Sequence, residues 1–317
     1  MILLNQKGKI LSINPAAKKL LDASGDCTGA DILSLNRNLN LQELLSNALQ
    51  GESGERIIVL HDESYQIDAN PIISEHTIKG AALCFFNVTE KEKAEQIRRE
   101  FTANVSHELK TPLHSISGYA ELLKNDMVQK QDCIPFAAKI YDEAQRMIQL
   151  VEDIISLSHL DEGANDMERE NVDLYELTKK AISSLESEAN TAHITIELSG
   201  SPAILHGIAQ LLYSIIYNLI DNAIKYNHEN GTVTINIQNT DTEIIFSVHD
   251  TGIGIPSKHQ ERIFERFYRV DKSHSKEVGG TGLGLSIVKH AAKVHHAKIK
   301  VDSIVEKGTL ITLTFPR

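Results

Sequence analysis

Residues 106–113 read Ser106-His107-Glu108-Leu109-Lys110-Thr111-Pro112-Leu113, and they put a histidine and a carboxylate on a helix otherwise built for packing. Apolar residues recur at spacings of three and four from Ala94 to Leu123, which predicts one buried helical face. His107 falls roughly 200° from that face, so its imidazole is predicted to point to solvent. Pro112 removes a backbone donor and crowds the Glu108 carbonyl, which predicts a bend or loosening just after the histidine.

Length and composition restrict the class of protein. The chain has 317 residues, of which 41% are apolar and 24% charged, and this suits two or three soluble domains. A net charge of −11 without a basic patch argues against nucleic acid as a partner. Cys27, Cys84 and Cys133 lack metal-ligand spacing, which favours a reduced, cytosolic compartment. The sequence as written contains neither a long apolar run nor a signal peptide, so a cytoplasmic location is expected.

Residues 1–88 are expected to form a small α/β domain, because apolar or alternating runs are separated by turn residues. The predicted strands are Met1–Leu4, Lys9–Ile13, Arg56–Leu60, Tyr65–Ala69 and Ala81–Val88, and the predicted helix is Pro15–Leu21.

Residues 89–163 are expected to form a helical hairpin, with helices over Glu90–Lys124 and Pro135–Leu160. A single antiparallel hairpin cannot bury the apolar stripes of both helices. Two hairpins together can do so, which predicts a homodimer with a four-helix bundle.

Residues 167–317 change to a mixed pattern of helices and strands. The predicted helices are Asp173–Asn190, Gly207–Tyr226 and one that follows Leu283, and the predicted strands are His193–Leu198, Thr232–Gln238, Glu243–His249, Ala297–Ser303 and Thr309–Phe315.

Two carboxamides and an amine share one face of the Gly207–Tyr226 helix. Asn218, Asn222 and Lys225 follow at spacings of four and three. Such a stripe suits coordination of Mg²⁺ through oxygen and contact between the amine and phosphate groups.

Glycine-rich segments follow at two places. Asp250-Thr251-Gly252-Ile253-Gly254 comes at the end of a predicted strand, and Gly279-Gly280-Thr281-Gly282-Leu283-Gly284-Leu285 leads into a helix. Glycines at alternate positions let backbone amides approach a ligand, and a helix start attracts phosphate. Asp250 can accept a hydrogen bond from an adenine amino group.

Together these motifs resemble those of sensor histidine kinases of two-component systems. Residues 106–113 resemble the H-box; 218–226, 250–256 and 279–285 resemble the N-, G1- and G2-boxes, and 264–269 the F-box. The start of the chain and Cys84–Glu90 resemble a PAS sensory domain. The implied architecture is multidomain α+β: a PAS-like domain, a helical hairpin that dimerises as a four-helix bundle, and a C-terminal α/β sandwich of the Bergerat ATP-binding type.

The resemblance also implies the cofactors and the roles of the site residues. ATP and Mg²⁺ are the expected cofactors, and Arg269–Gly280 would be the mobile ATP lid. His107 would be the phosphoacceptor with Glu108 as its general base, and Asn222, helped by Asn218, would hold Mg²⁺. The expected ATP-binding residues are Asn218, Asn222, Lys225, Tyr226, Asp250, Gly252, Gly254, Arg269, Gly280, Thr281, Gly282, Leu283 and Gly284.

The activity implied is autophosphorylation of His107, followed by transfer to an aspartate of a response regulator. Thr111 has a spacing that permits a second role, orienting water to dephosphorylate the regulator. The PAS-like domain would take an unidentified small-molecule or protein signal, or it would be a structural dimerisation module without a ligand. Membrane sensors of this family carry spanning helices upstream, which would put the chain at the inner face of the membrane if such helices precede it.

Two other functions compete with this interpretation. ATPases of the gyrase, chaperone and mismatch-repair type share the nucleotide fold, but they need a glutamate base where this chain has Asn218. A catalytically silent dimeric scaffold would not need the acceptor, metal and glycine positions that are intact here.

Overall fold

A computed structural model describes residues 1–35, 38–161, 167–270 and 280–317, without the side chains of His159 and Asp161. The chain divides into two compact units, Met1–Thr102 and Ala103–Arg317. Both contain helices and strands, so the mixed α+β class predicted from the sequence is confirmed. The finer division at residues 88, 163 and 167 stays a prediction.

The first unit is an antiparallel sheet accompanied by short helices. Its strands are β1 (Ile2–Asn5), β2 (Ile10–Ile13), β3 (Gly54–Leu60), β4 (Glu63–Ser74) and β5 (Thr77–Asn87), and its helices are α1 (Pro15–Leu20), α2 (Ile32–Leu35) and α3 (Leu39–Leu49). The strand order is β2-β1-β5-β4-β3. Alternate side chains of the sheet, such as Ile2, Ile67 and Leu83, are fully buried and form its core with α3. The five strands agree with prediction, whereas α2 and α3 were not predicted.

Helix α4 (Thr89–Lys124) starts directly after this sheet. The Asn87 side chain accepts the N–H of Thr89 at 3.0 Å, and the Thr89 hydroxyl accepts the N–H of Ser64 in β4 at 2.9 Å. These bonds satisfy backbone donors at the helix start and at the strand. The helix runs without interruption through Pro112, so the proline does not end it.

Helix α5 (Cys133–Asp161) pairs with α4, as Tyr119 and Phe136 are in edge-to-face contact with ring centroids 5.3 Å apart. The apolar stripe predicted for α5 is only partly covered, because one of its residues, Val151, is 42% exposed. The stripe consists of Ile140, Ala144, Met147, Val151 and Ile154. A different face of α5, formed by Leu150, Asp153, Leu157 and Leu160, is buried.

The rest of the second unit is an α/β sandwich. Its strands are β6 (Glu170–Asp173), β7 (Thr195–Gly200), β8 (Ile204–Gly207), β9 (Thr232–Asn239), β10 (Glu243–Asp250), β11 (Lys298–Ile304) and β12 (Gly308–Pro316), and its helices are α6 (Leu174–Thr191), α7 (Ala209–Lys225), α8 (Ser257–Gln260) and α9 (Gly284–Val294). The main sheet has the order β11-β12-β10-β9-β7, with only the β7–β9 pair parallel in the described residues. A separate antiparallel pair joins β6 and β8.

The core of this sandwich lies between the sheet and its helices. Inward side chains alternate along β9, β10 and β12, and eight of the 17 residues of α7 are buried, all of them apolar. The expected helix from Gly207 begins at Ala209 instead, because residues 204–207 pair with β6 as a strand. The expected strand from His193 begins at Thr195, since His193 has a left-handed φ of 56° that closes the end of α6.

Candidate active site

His107 lies on the exposed surface of α4, as predicted. Glu108 beside it is half-buried, and the Thr111 hydroxyl donates a hydrogen bond to the His107 carbonyl at 3.2 Å. Pro112 has no N–H to donate to the Glu108 carbonyl, so this turn of the helix lacks one backbone hydrogen bond. The Thr111 hydroxyl adds a side-chain hydrogen bond in the same turn. The acceptor candidate thus belongs to an accessible stretch of regular helix.

A cavity of about 830 Å³ lies between α5, α7, the end of β10 and the loop that leads into α9. We call it the cleft. Its wall contains all of the predicted ATP-binding residues except Gly252 and Leu283. Leu283 is fully buried and does not line the cleft. The sequence segments that resembled nucleotide motifs are therefore brought together in space.

The side-chain oxygens of Asn218 and Asn222 on α7 are available to bind a ligand. The amide nitrogen of Asn218 donates to the Ser214 carbonyl at 2.8 Å, and that of Asn222 donates to the Asn218 carbonyl at 2.8 Å. Because the donor ends are occupied, each carboxamide oxygen is the free end of its group. Carboxamide oxygens suit Mg²⁺, which keeps several waters and phosphate oxygens in its shell. The residues present therefore fit this metal.

Lys225 has a partner that the sequence interpretation did not include. Its ammonium lies 2.7 Å from a carboxylate oxygen of Asp221, one turn earlier on α7. Burial raises the pKa of Asp221, and the charge of Lys225 opposes that rise. The lysine thus lines the cleft while it neutralises a largely buried carboxylate.

Asp250 is held at the end of β10 by backbone donors. One of its carboxylate oxygens accepts the N–H of Gly252 at 2.9 Å and the N–H of Thr309 at 3.2 Å. Burial raises the pKa of Asp250, and these two hydrogen bonds lower it. The second oxygen remains able to accept a hydrogen bond from a ligand in the cleft.

Close backbone approach explains two of the glycines. A Cβ on Gly252 would lie 2.1 Å from the Tyr226 carbonyl oxygen, outside the cleft itself. A Cβ on Gly284 would lie 2.4 Å from the carboxamide oxygen of Asn218. Gly284 therefore lets the start of α9 approach the candidate metal ligands.

The loop before α9 is tied to its surroundings. The Phe267 N–H donates to the Gly282 carbonyl at 2.9 Å, which joins the segment resembling the F-box to this loop. The Thr281 hydroxyl accepts the Leu283 N–H at 3.2 Å. Residues 271–279, most of the expected ATP lid, lie outside the described residues.

Apart from Asp250, sequence reasoning gave no role to the carboxylates of the cleft wall, among them Asp221 and Asp153. The first had a signal, because an aspartate four residues before Lys225 forms an ion pair along a helix. The second had none, since Asp153 is defined by a hydrogen bond from Thr281, distant in sequence.

Comparison with protein families gives two matches. Residues 97–163 match the model of the His Kinase A (phospho-acceptor) domain. Residues 207–317 match the histidine kinase-, DNA gyrase B-, and HSP90-like ATPase model. His107 falls within the first region, and the cleft residues of α7, β10 and α9 fall within the second.

Whole-chain relatives agree with these matches. The sensor histidine kinase WalK of Bacillus subtilis (strain 168) is 35% identical over all of this chain and 53% of its own length. The sensor protein kinase WalK of Staphylococcus aureus is 31% identical over all of this chain and 78% of its own length. The chain thus spans about half the length of the Bacillus relative. It belongs to the sensor histidine kinases.

Solved structures share the fold. The histidine kinase ThkA, crystallised with the response regulator protein TrrA, aligns over 99% of this chain and 94% of its own, with a TM-score of 0.54 and 20% identity. Full-length ShkA in complex with AMPPNP aligns over 70% of this chain and 45% of its own, with a TM-score of 0.51 and 26% identity.

Within the described ranges, no helix is both long enough and apolar enough to cross a bilayer.

Proposed function

We propose that this protein uses ATP to phosphorylate its own His107 and then passes the phosphoryl group to an aspartate of a response regulator. One observation carries the proposal. A single chain combines an exposed histidine, inside its phospho-acceptor region, with a cleft built from the segments that resemble nucleotide motifs. Membership of the sensor histidine kinases supports the same activity.

The register of the hairpin supports a meeting of the two sites. His107 and Ile148 are each twelve residues from the Tyr119–Phe136 contact, so they lie at one level along the paired helices. Gln145 and Gln149, on either side of that level, line the cleft. The cleft is therefore held against the part of α5 that lies level with the acceptor.

The proposed chemistry is an in-line phosphoryl transfer. A ring nitrogen of neutral His107 attacks the γ-phosphorus of ATP; the N–P bond forms as the bond to the β-phosphate oxygen breaks, and ADP leaves. Glu108 accepts the proton from the other ring nitrogen, which keeps the attacking nitrogen nucleophilic. Positioning and charge neutralisation supply most of the catalysis.

In this proposal each cleft residue contacts a different part of the nucleotide or its metal ion. Asn222, helped by Asn218, would hold Mg²⁺, which neutralises phosphate charge. Lys225 contacts phosphate, Tyr226 flanks the base, and the free oxygen of Asp250 accepts from the adenine amino group. The ShkA relative, solved with AMPPNP, supports a nucleotide at this site.

We further propose that the protein works as a homodimer. Apolar side chains of the hairpin remain exposed in one chain, among them Leu113 at 55%, Tyr141 at 63% and Ile155 at 50%. A second hairpin would cover them in a four-helix bundle. Unpaired, such a surface would favour aggregation.

Two further roles complete the proposal. Thr111, one turn after the acceptor, would orient the water that dephosphorylates the regulator once its hydroxyl leaves the His107 carbonyl. The first unit, with its sheet and short helices, would act as a PAS-like sensory domain for a small-molecule or protein signal.

Incubation with γ-labelled ATP tests the activity. We expect wild type to acquire phosphate that is labile in acid and stable in alkali, and we expect His107→Gln to acquire none. His114→Gln is the matched control, because His114 is also exposed on α4, seven residues further on. The proposal would be refuted if the His107→Gln variant were labelled. It would also be refuted if the label on wild type had the acid and alkali stability of a phosphate ester of a hydroxyl group.

The metal assignment has its own test. Asn222→Ala should lose labelling at ordinary Mg²⁺ concentrations while the fold is kept, as checked by circular dichroism. Undiminished labelling of this variant would remove Asn222 from the metal site.

A further inference from the structure

Asp153 is a buried carboxylate in the wall of the cleft, on a helix that carries none of the predicted nucleotide ligands. It is 8% exposed. One of its oxygens accepts the Thr281 hydroxyl at 2.6 Å, and the other accepts the Gln149 amide at 2.9 Å. Burial raises the pKa of Asp153, and the two hydrogen bonds lower it. The bonds hold a carboxylate that would otherwise be poorly solvated.

Thr281 has only one hydroxyl proton to give. That proton goes to Asp153, while the hydroxyl oxygen accepts the N–H of Leu283 at the start of α9. The residue stands between Gly280 and Gly282, in the loop whose proposed ligand is phosphate. An anionic side chain of α5 therefore already occupies a donor of the phosphate loop.

The charges of the cleft also oppose the binding of phosphate beside Asp153. Lys225 is in contact with Asp221 at 2.7 Å, and within the described ranges no ion pair is made by Asp153. A polyphosphate in this loop would bring further negative charge towards a carboxylate that has no cation in direct contact and feels only the nearby charge of Lys225. Phosphate and Asp153 are thus two anions beside one donor.

We propose that Asp153 competes with the phosphates of the nucleotide for the Thr281 hydroxyl, so that docking of α5 on this loop and phosphate binding in it oppose each other. The inference rests on the proposed function, in which ATP occupies the cleft. Linkage makes the opposition reciprocal: whatever weakens the contact of Asp153 with the loop strengthens nucleotide binding, and the nucleotide weakens the contact.

Calorimetric titration of the full chain with AMP-PNP, ADP and adenosine at fixed Mg²⁺ tests the proposal. Asp153→Asn keeps the shape and removes the charge, and it should bind AMP-PNP roughly tenfold more tightly, about 1.4 kcal/mol. The gain should be smaller for ADP and absent for adenosine. Glu152→Gln is the matched control, since it removes the same charge from an exposed neighbouring position and should change nothing.

Unchanged or weaker AMP-PNP binding by Asp153→Asn would overturn the proposal, and so would an equal gain for adenosine. Asp153→Ala gives a second variant in case the amide finds new partners or impairs folding, which circular dichroism would reveal. If wild type bound none of the three ligands, the proposed ATP site itself would be wrong, and that result is distinct from a failure of Asp153 alone.

A double-mutant cycle tests whether the Thr281 hydroxyl is the donor for which Asp153 and phosphate compete. In a Thr281→Val background the hydroxyl is missing, so adding Asp153→Asn should no longer give the tenfold gain. A gain that persists in full would show that Thr281 is not the shared donor.

Discussion

The carboxamide oxygen of Asn218 lies where the start of α9 leaves room for it, 2.4 Å from the point that a Cβ on Gly284 would occupy. Gly284→Ala should therefore push the carboxamide out of place while the sandwich still folds. Because misplacement by about 1 Å costs roughly 10²-fold in rate, we expect autophosphorylation to fall by that order.

The measurement is the initial rate of labelling over a range of Mg·ATP concentrations. Gly280→Ala is the comparison, because a Cβ there meets nothing closer than 3.9 Å and its loss should be much smaller. An undiminished rate in Gly284→Ala would contradict the assignment of Asn218.

Lys225 should have separable structural and binding roles. Lys225→Met leaves Asp221 without its cation, which should cost about 1 kcal/mol of unfolding free energy, since the pair is only partly buried. Adding Asp221→Asn should restore stability but not ATP affinity, because the phosphate partner is still missing. Urea unfolding and ATP titration of both variants would check this, and recovery of ATP affinity in the double variant would argue against phosphate contact.

His295 should make stability depend on pH. Its side chain is 5% exposed; one ring nitrogen accepts the Ile208 N–H at 3.0 Å and the other lies 2.8 Å from the Ala291 carbonyl. Burial lowers the pKa of His295 below its ordinary 6.5. Protonation abolishes the acceptor for Ile208, so stability is complete above pH 6.5 and declines as the pH falls through the folded-state pKa.

The check is urea unfolding of wild type and His295→Gln across this range. Glutamine keeps an acceptor and a donor without titrating, so the wild type should lose about 1 kcal/mol more than the variant on acidification. Parallel decline of the two proteins would assign the pH dependence to other groups.

The dimer should depend on the exposed side of α5. Ile148→Glu puts a charge on a side chain that is 51% exposed in one chain and would be covered in the bundle. Since the change occurs twice in a symmetric interface, we expect the dissociation constant of the dimer to rise at least about 10²-fold. Sedimentation would measure it, with Ile73→Glu on β4, 59% exposed, as the control. A dimer that survives Ile148→Glu would place the interface elsewhere.

Long periodic elements were predictable because their signal is local. Helices α4 and α5 lie within a few residues of the expected limits, and the five strands of the first unit match. Helix α3 was not predicted, although its buried leucines have helical spacing. Strands β6 and β8 were missed because each is only four residues long and gains its stability from the other.

The cleft could be predicted as a set of residues but not as a geometry. Spacing put Asn218, Asn222 and Lys225 on one face of a helix, and the glycine segments suggested phosphate. The ion pair of Lys225 with Asp221 has a local signal, a spacing of four residues along one helix, although it was not predicted. The bond between Asp153 and Thr281 has none, because it joins positions far apart in the chain. Contacts of that kind depend on tertiary packing, and local patterns do not encode them.

Helix α5 has two sides with different duties. Leu150, Asp153 and Leu157 are buried within the second unit, while Ile148 and Ile155 form the surface proposed for the partner chain. Random mutagenesis should consequently find few tolerated positions on this helix, although it holds none of the proposed catalytic groups. Inactive variants that map to α5 would indicate disrupted packing, either within the second unit or against the partner chain. They should not be taken as evidence for a catalytic residue on this helix.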